Sequence, residues 1–275
     1  MKIRRVLSTK KASKLKVKSK PSTQTKPEKV KSILVTQPKP ESDKSPYTDL
    51  GKKHSIKIDF RSFIHVEGVG SKEFRADRIN ILDYTAVIMT SRNSVDHFFR
   101  LCNELRITVP ETMKYFCISE STAYYLQKYV IFRKRKIFHG KQTFSDLIDV
   151  IKKHKDEKFL LPCSDIHKDE IPEILDANKI NYKKAVMYKT VCSDLSDLEN
   201  VFYDVLVFFS PSGITSLYKN FPKFKQNKTR IAAFGQTTAK AVEEAGLRLD
   251  IQAPLPEAPS MHMALEKYIH QVNKK

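Results

Sequence analysis

The chain has 275 residues, 40% of them hydrophobic, with 16 Phe and 11 Tyr, which is enough apolar material for the cores of two ordinary domains. Its formal charge of +19 is unevenly placed: residues 1–32 carry 12 Lys/Arg against Glu28 alone, a net of +11, and the other 243 carry 38 Lys/Arg against 30 Asp/Glu, a net of +8. The longest apolar stretches, such as 205–218, are broken by Pro211 and Gly213 and fall short of the roughly 20 residues a membrane span needs, and no apolar core follows the first charges as a secretory leader would require.

The Lys-, Ser-, Thr- and Pro-rich segment 1–32 reads as a disordered tail. It has no interleaved aromatics, so no specific nucleic-acid partner is implied. A solvated solubility segment, a loose polyanion contact and an organellar targeting peptide all remain open for it. Order is expected from Ile33, with a short strand to Thr36, a turn at Gln37–Pro40, and a helix opened by Ser45-Pro46 and reaching about His54. Ile56–Phe60 alternates like a strand, and a second extended stretch runs from Phe63 to Val69. From Ser71 onward, strands at 86–89, 115–118, near Ile137 and at 159–162 alternate with helical patterns, including 144–154 and one reaching Ala177. Val186–Val191 is extended, and another alternating series follows, closing in a helix over Met261–Val272. Alternating strands and helices imply an α/β fold with parallel sheets covered on both faces.

One local device occurs four times. Ala86–Met89 runs into Thr90-Ser91, Tyr115–Ile118 into Ser119–Thr122, Val205–Phe209 into Ser210-Pro211-Ser212-Gly213, and Ile231–Phe234 into Gly235-Gln236-Thr237-Thr238. Ser91 and Thr122 are 31 positions apart, Ser210 and Thr238 are 28 apart, so the two halves carry matched pairs. Each device puts hydroxyls and unpaired helix N–H groups at the carboxyl end of a strand, where open parallel sheets bind ligands. Plain N-capping explains any single one; four at matched positions point to a cleft for a large anion carrying carboxylates or phosphates. The lone histidines 97, 139, 167 and 262 form no relay, and nucleotide-binding and nucleophile-elbow motifs are missing. Cys102, Cys117, Cys163 and Cys192 are widely spaced without a C-x-x-C or Cys/His group, which argues against zinc and for free thiols in a reducing compartment.

Phe208-Phe209-Ser210-Pro211-Ser212-Gly213, then Ala232–Ala239 and Glu244–Leu247, resemble the uroporphyrinogen-III synthase family. So do Leu160–Cys163 with Ile171–Leu175, Val186–Val191, and Thr90–Val95. The resemblance covers about Ile33 to Tyr268. It implies two α/β domains joined by a two-stranded connector, with the first domain discontinuous: 33–59 with 192–275, the connector at 60–70 and 188–191, and the second domain at 71–187. It implies cyclisation of hydroxymethylbilane, a linear tetrapyrrole with eight carboxylates, to uroporphyrinogen III, with ring inversion and loss of water, in haem biosynthesis. No metal or other cofactor is implied, and a monomeric cytoplasmic enzyme is expected. By the same resemblance Tyr188 is the proton donor and Thr238 its catalytic companion, while Ser91, Thr122, Ser210, Ser212, Gly213, Gly235 and Thr237 bind the substrate. Gln236 and Ser119 depart from the family's usual proline and glycine. A non-catalytic two-domain sensor of a tetrapyrrole or another polycarboxylate is the alternative.

Overall fold

The computed structural model describes residues 28–273 apart from 43, 167 and 168. The first 27 residues of the expected tail therefore lie outside the described residues, as does His167. Two sheets organise the rest. One has the order β11-β10-β9-β1-β2, built from β1 (Ser32–Val35), β2 (Lys57–Phe60), β9 (Val205–Phe208), β10 (Arg230–Phe234) and β11 (Leu249–Ala253). The other has the order β3-β8-β7-β4-β5-β6, from β3 (Ile64–Gly68), β4 (Ala86–Met89), β5 (Lys114–Cys117), β6 (Ile137–His139), β7 (Phe159–Ser164) and β8 (Tyr182–Cys192). All pairings are parallel except β3 with the second half of β8. The helices are α1 (Pro46–His54), α2 (Ser71–Ala76), α3 (Arg92–Glu104), α4 (Glu120–Leu126), α5 (Phe144–Lys152), α6 (Glu170–Ala177), α7 (Pro211–Asn220), α8 (Gln236–Glu244) and α9 (Met261–Asn273).

Strand alternation divides each core in two. Val87 and Met89 of β4 enter one apolar cluster while Ala86 and Ile88 enter the opposite one. Val205 and Val207 of β9 are separated in the same way from Leu206 and Phe208. A period of two places successive side chains on opposite faces, so continuous apolar runs mark strands covered by helices on both sides. The helix starts follow capping chemistry: Ser45 caps α1 ahead of Pro46, and Thr143 and Asp146 form a reciprocal capping box at α5. Packing begins earlier than the sequence implies. Val30 is buried, and the Asp204 carboxylate accepts from the N–H groups of Lys31 and Ser32 and from the Ser32 hydroxyl. An acceptor just ahead of the neighbouring strand β9, invisible in a local window, holds the start of β1 at Ser32.

Each sheet has one place where the strand order reverses. In the first, the chain passes from β1 to β2 and then crosses to β9 on the other side of β1. In the second, it passes from β4 outward to β6 and then crosses to β7. The carboxyl ends of β1/β9 and of β4/β7 are therefore the crevices where a doubly wound sheet takes ligands. No helix among the described residues is long and apolar enough to cross a membrane.

Burial pushes the thiols of Cys102 and Cys117 up to about 12, and desolvation does the same to the Tyr47 phenol. Unfolded, these groups lose protons at their ordinary values of about 9 and about 10, while the folded chain keeps them. Their contribution to stability is thus full below those unfolded values and is lost progressively as pH rises from them through the folded values of about 12. The denaturant midpoint should be level from about pH 7 to about pH 8 and fall steadily above about pH 9; a level midpoint up to about pH 11 contradicts this assignment.

Candidate active site

Tyr188 sits where β8 changes partner. Its backbone pairs with Ser164 of β7 on one side and with Gly68 of β3 on the other. The register with β7 shifts between Cys163 and Ser164, so Met187 is an extra residue on β8. This bulge has a visible result: the consecutive residues Met187 and Tyr188 both belong to the same buried cluster, which regular alternation forbids. The bulge thereby turns Tyr188 toward α3 at the carboxyl edge of the second sheet.

There its ring stacks on His97 of α3 at a centroid distance of 5.1 Å and an interplanar angle of 21°. Burial pushes the phenol's pKa up, and a hydrogen bond with Ser91 pulls it partly back. His97 moves the other way: burial lowers its pKa, and the Arg100 charge lowers it further against the pull of Asp96. Arg100 Nε donates to His97 Nδ1 at 3.2 Å, which leaves the ring proton on Nε2 of a neutral imidazole. The Arg100 guanidinium also donates to the carbonyls of Val69 at 2.8 Å and Met187 at 3.1 Å, the residues that follow β3 and precede Tyr188. The triad-like group Tyr188, His97 and Arg100 was not signalled by sequence. The one available hint is that His97 and Arg100 lie three apart, on one face of the helix that Ser91 opens.

The hydroxyl devices divide into two chemical types. In the second sheet they are taken up by their own helices. Ser91 Oγ accepts from Ser94 N–H at 3.1 Å and Ser94 Oγ accepts from Ser91 N–H at 3.0 Å, a capping box. Ser119 Oγ accepts from Thr122 N–H and lies 3.1 Å from the Thr122 hydroxyl, and Thr122 is buried. In the first sheet the starts of α7 and α8 have no side-chain cap: Ser210 and Gly235 occupy the cap positions without a capping bond. Gly235 has φ of 86°, a left-handed conformation that suits glycine. Pro211 has no N–H and Gly213 N–H donates to Ser210 O, so what is left for an anion is the Ser212 N–H at α7 and the first N–H groups of α8. Ser210 and Gly235 follow adjacent strands, β9 and β10, and Ser210 lies just past the end of β9 at the β1/β9 crevice.

Ser212 is half-buried and Gly213 buried beside the Phe208 ring, with an added Cβ meeting it at 3.1 Å. Thr237 is exposed, whereas Thr238 is 1% exposed. Of the adjacent threonines, Thr237 is the one that solvent reaches. The structure thus brings Ser91 to Tyr188 and groups Ser210 with Gly235 and Thr237 along one sheet edge. Thr36 joins the latter group unforeseen: it follows β1 directly at the same crevice and donates its hydroxyl to Val207 O at 2.8 Å. A cavity of about 600 Å³ lies on the other side of α3, lined by Asp96, Phe99, Arg100 and Tyr129 and by none of the nine residues expected from sequence.

Comparison with known proteins agrees with this architecture. The sequence model of the family described as uroporphyrinogen-III synthase HemD matches residues 45–262. The uroporphyrinogen-III synthase of Saccharomyces cerevisiae is 30% identical over 139 residues, 45% of this chain and 50% of that protein. The aligned stretch thus spans half the length of the yeast relative. The uroporphyrinogen-III synthetase of Helicobacter pylori superposes with a TM-score of 0.55 at 19% identity, over 88% of this chain and 99% of that one. A mutant uroporphyrinogen III synthase of Thermus thermophilus gives 0.50 at 14%, over 89% and 100%. Both share the fold.

Gly68 makes the Arg100 clamp fit. A Cβ at residue 68 would lie 2.5 Å from the guanidinium carbon. Gly68→Ala should displace Arg100, free the Val69 and Met187 carbonyls, and cost about 1–3 kcal/mol in equilibrium unfolding. Combined with Arg100→Ala, the same change should cost much less, because its target is gone; strict additivity would show that the two residues are not coupled.

Proposed function

The chain belongs to the uroporphyrinogen-III synthase family, and from that premise we propose that it cyclises hydroxymethylbilane to uroporphyrinogen III, inverting the last ring and releasing water. The observation that carries this reading is the bulge that holds Tyr188 against Ser91 and His97 at the edge of the second sheet. A phenol whose pKa is raised by burial stays protonated at neutral pH and can give its proton to a departing hydroxyl. The C–O bond breaks and oxygen leaves as water; the electron-poor carbon left behind is attacked by the terminal ring at the position that already carries its link to the third ring, that link breaks and re-forms at the ring's free position, and the proton lost there returns to the Tyr188 phenolate. The Ser91 hydrogen bond favours the phenolate that this transfer creates. Neutral His97 packs the phenol in place without adding a competing charge.

Binding falls mainly to the first sheet in this proposal. Ser210, Ser212, Gly213, Gly235 and Thr237, with the uncapped N–H groups of α7 and α8, would hold acetate and propionate carboxylates. Ser91 and Thr122 would shape the opposite wall. Thr238, buried beneath the start of α8, would act by positioning that start. Because hydroxymethylbilane also closes unaided to the uninverted isomer, the protein's task is chiefly orientation, which can itself supply a large share of a rate enhancement.

We place the domain limits at 33–59 with 192–275 and at 71–187, joined by 60–70 and 188–191. The antiparallel pairing of β3 with the end of β8 supports the connector. We further propose a cytoplasmic enzyme active as a monomer and without a cofactor in the reaction. The four unpaired cysteines suit a reducing compartment, and one copy of the chain carries both groups of hydroxyls.

Purified protein given hydroxymethylbilane should yield the type III isomer. Type I product alone, together with saturable substrate binding, would favour a sensor instead. Tyr188→Phe should lower kcat by about 10²–10⁴ with a smaller effect on KM. Unchanged kcat in that variant removes Tyr188 from proton transfer.

A further inference from the structure

Far from Tyr188, on the outer layer of the first sheet, α1 packs on α9. We propose that His54, Glu266 and His270 at this contact bind one divalent transition-metal ion, Zn²⁺ in the first instance, which clips the C-terminal helix to α1.

Four observations carry the proposal. First, Nε2 of His54 is buried and makes no well-formed hydrogen bond, facing Glu266 Oε1 only at 3.5 Å. Buried polar atoms are ordinarily paired closely, so an imidazole nitrogen held this loosely is open to a ligand. Second, the candidate ligand atoms of all three residues lie within 4.8 Å of one another. Glu266 and His270 are four apart on α9 and so share a face.

Third, the spacings suit a tetrahedral ion. Bonds of about 2.0–2.2 Å from Zn²⁺ place neighbouring ligand atoms about 3.3–3.5 Å apart and two coordinating imidazole centres about 5 Å apart. His54 Nε2 is 3.5 Å from Glu266 Oε1, and the His54 and His270 ring centroids are 5.0 Å apart at 83°. Fourth, His54 is the last residue of α1, and His270 lies in the last turn of α9. The negative ends of two helix dipoles therefore converge on the point where the cation would sit.

Lys53 competes for this point, with Nζ 2.7 Å from Glu266 Oε1. Its side chain is 63% exposed, and an exposed ion pair of this kind is easily broken. Glu266 and His270 also line a surface groove of about 680 Å³, which gives an ion a route in and room for water as the fourth ligand. Two imidazoles and one carboxylate select Zn²⁺, Co²⁺, Ni²⁺ or Cu²⁺ over Mg²⁺ and Ca²⁺. Bound there, the ion would fasten α9, whose Leu265 and Ile269 fill the core and whose Asn273 holds the backbone of Val30.

The test uses the full-length chain stripped with a chelator and titrated with ZnCl₂, CoCl₂ or MgCl₂ alone. One equivalent of Zn²⁺ should bind and raise Tm on the order of 5–10 °C at a hundredfold excess over Kd. Co²⁺ should give the intense visible absorption of a four-coordinate complex, and Mg²⁺ should do neither. His54→Ala and His270→Ala should each abolish the Co²⁺ signal, and Glu266→Gln should weaken Zn²⁺ binding. Should either alanine variant fold poorly, His270→Asn keeps the helix and gives the same readout. The proposal is overturned if Zn²⁺ does not bind saturably, if it binds the His54→Ala, His270→Ala pair as tightly as the original, or if Mg²⁺ shifts Tm equally.

Discussion

The antiparallel ladder between β3 and the end of β8, from Ile64↔Cys192 to Gly68↔Tyr188, is the constraint on which the rest depends. β8 pairs in parallel with β7 for its first half and in antiparallel with β3 for its second, so one continuous strand serves a domain and the connector alike. Each end of the ladder is gripped by one helix. At the Tyr188 end, Arg100 of α3 holds the carbonyls of Val69 and Met187. At the other, Ser216 of α7 donates to Phe63 O at 2.5 Å and Asn220 to Ser193 O at 3.0 Å. Between the grips His65, Val66 and Glu67 are exposed. A two-stranded ribbon twists more readily than a packed sheet. Any closure of one domain on the other is therefore directed into twist of this ribbon, while Tyr188, fixed to the gripped end, moves with the second sheet.

Under the proposed function, that arrangement would separate binding from chemistry. In the second sheet a serine at the cap position meets Ser94 or Thr122 three residues on, and the pair satisfies itself. In the first, Pro211 follows Ser210 and glycine occupies residue 235, and neither start is closed by its own side chain. Identical-looking sequence devices thus have opposite uses. The self-capped starts are closed, one of them beside Tyr188 through Ser91; the starts of α7 and α8 have no side-chain cap, which the proposed function would use for carboxylates. A modestly basic body adds a long-range attraction for the same anion.

What could be read from sequence follows the range of the forces involved. Strand cores such as 86–89 and 205–208, and helix starts such as Ser45-Pro46 and Ser91, depend on neighbours in the chain, and their positions were legible. The bulge at Met187 was not, since it exists only against β7. His97 looked like a solitary histidine because its partners, Tyr188 and Arg100, are brought to it by a strand about 90 residues on and by a helix turn. Thr237 and Thr238 are adjacent and chemically alike; only the seating of α8 decides that the second is buried. His54 and the pair Glu266 and His270 come from opposite ends of the same domain, so a search for local Cys/His spacing passes over them.

The crevice at β4 and β7 shows how little sequence such a feature needs. Pairing between these strands is confined to Ala86↔Phe159 and Val87↔Leu160, although β4 continues to Met89 and β7 to Ser164. Two residues past the last pair stands Pro162, which has no N–H to donate. Proline in a covered strand ordinarily weakens a sheet; here β7 remains held by β8 along its whole length, Pro162 opposite Ala185, and only the β4 side is released. The released side is the topological switch point. Ser91 follows the end of one strand there, Ser164 ends the other, and Tyr188 is paired with Ser164. A single residue that cannot extend a ladder therefore helps to open the sheet at the place where the connector delivers its tyrosine.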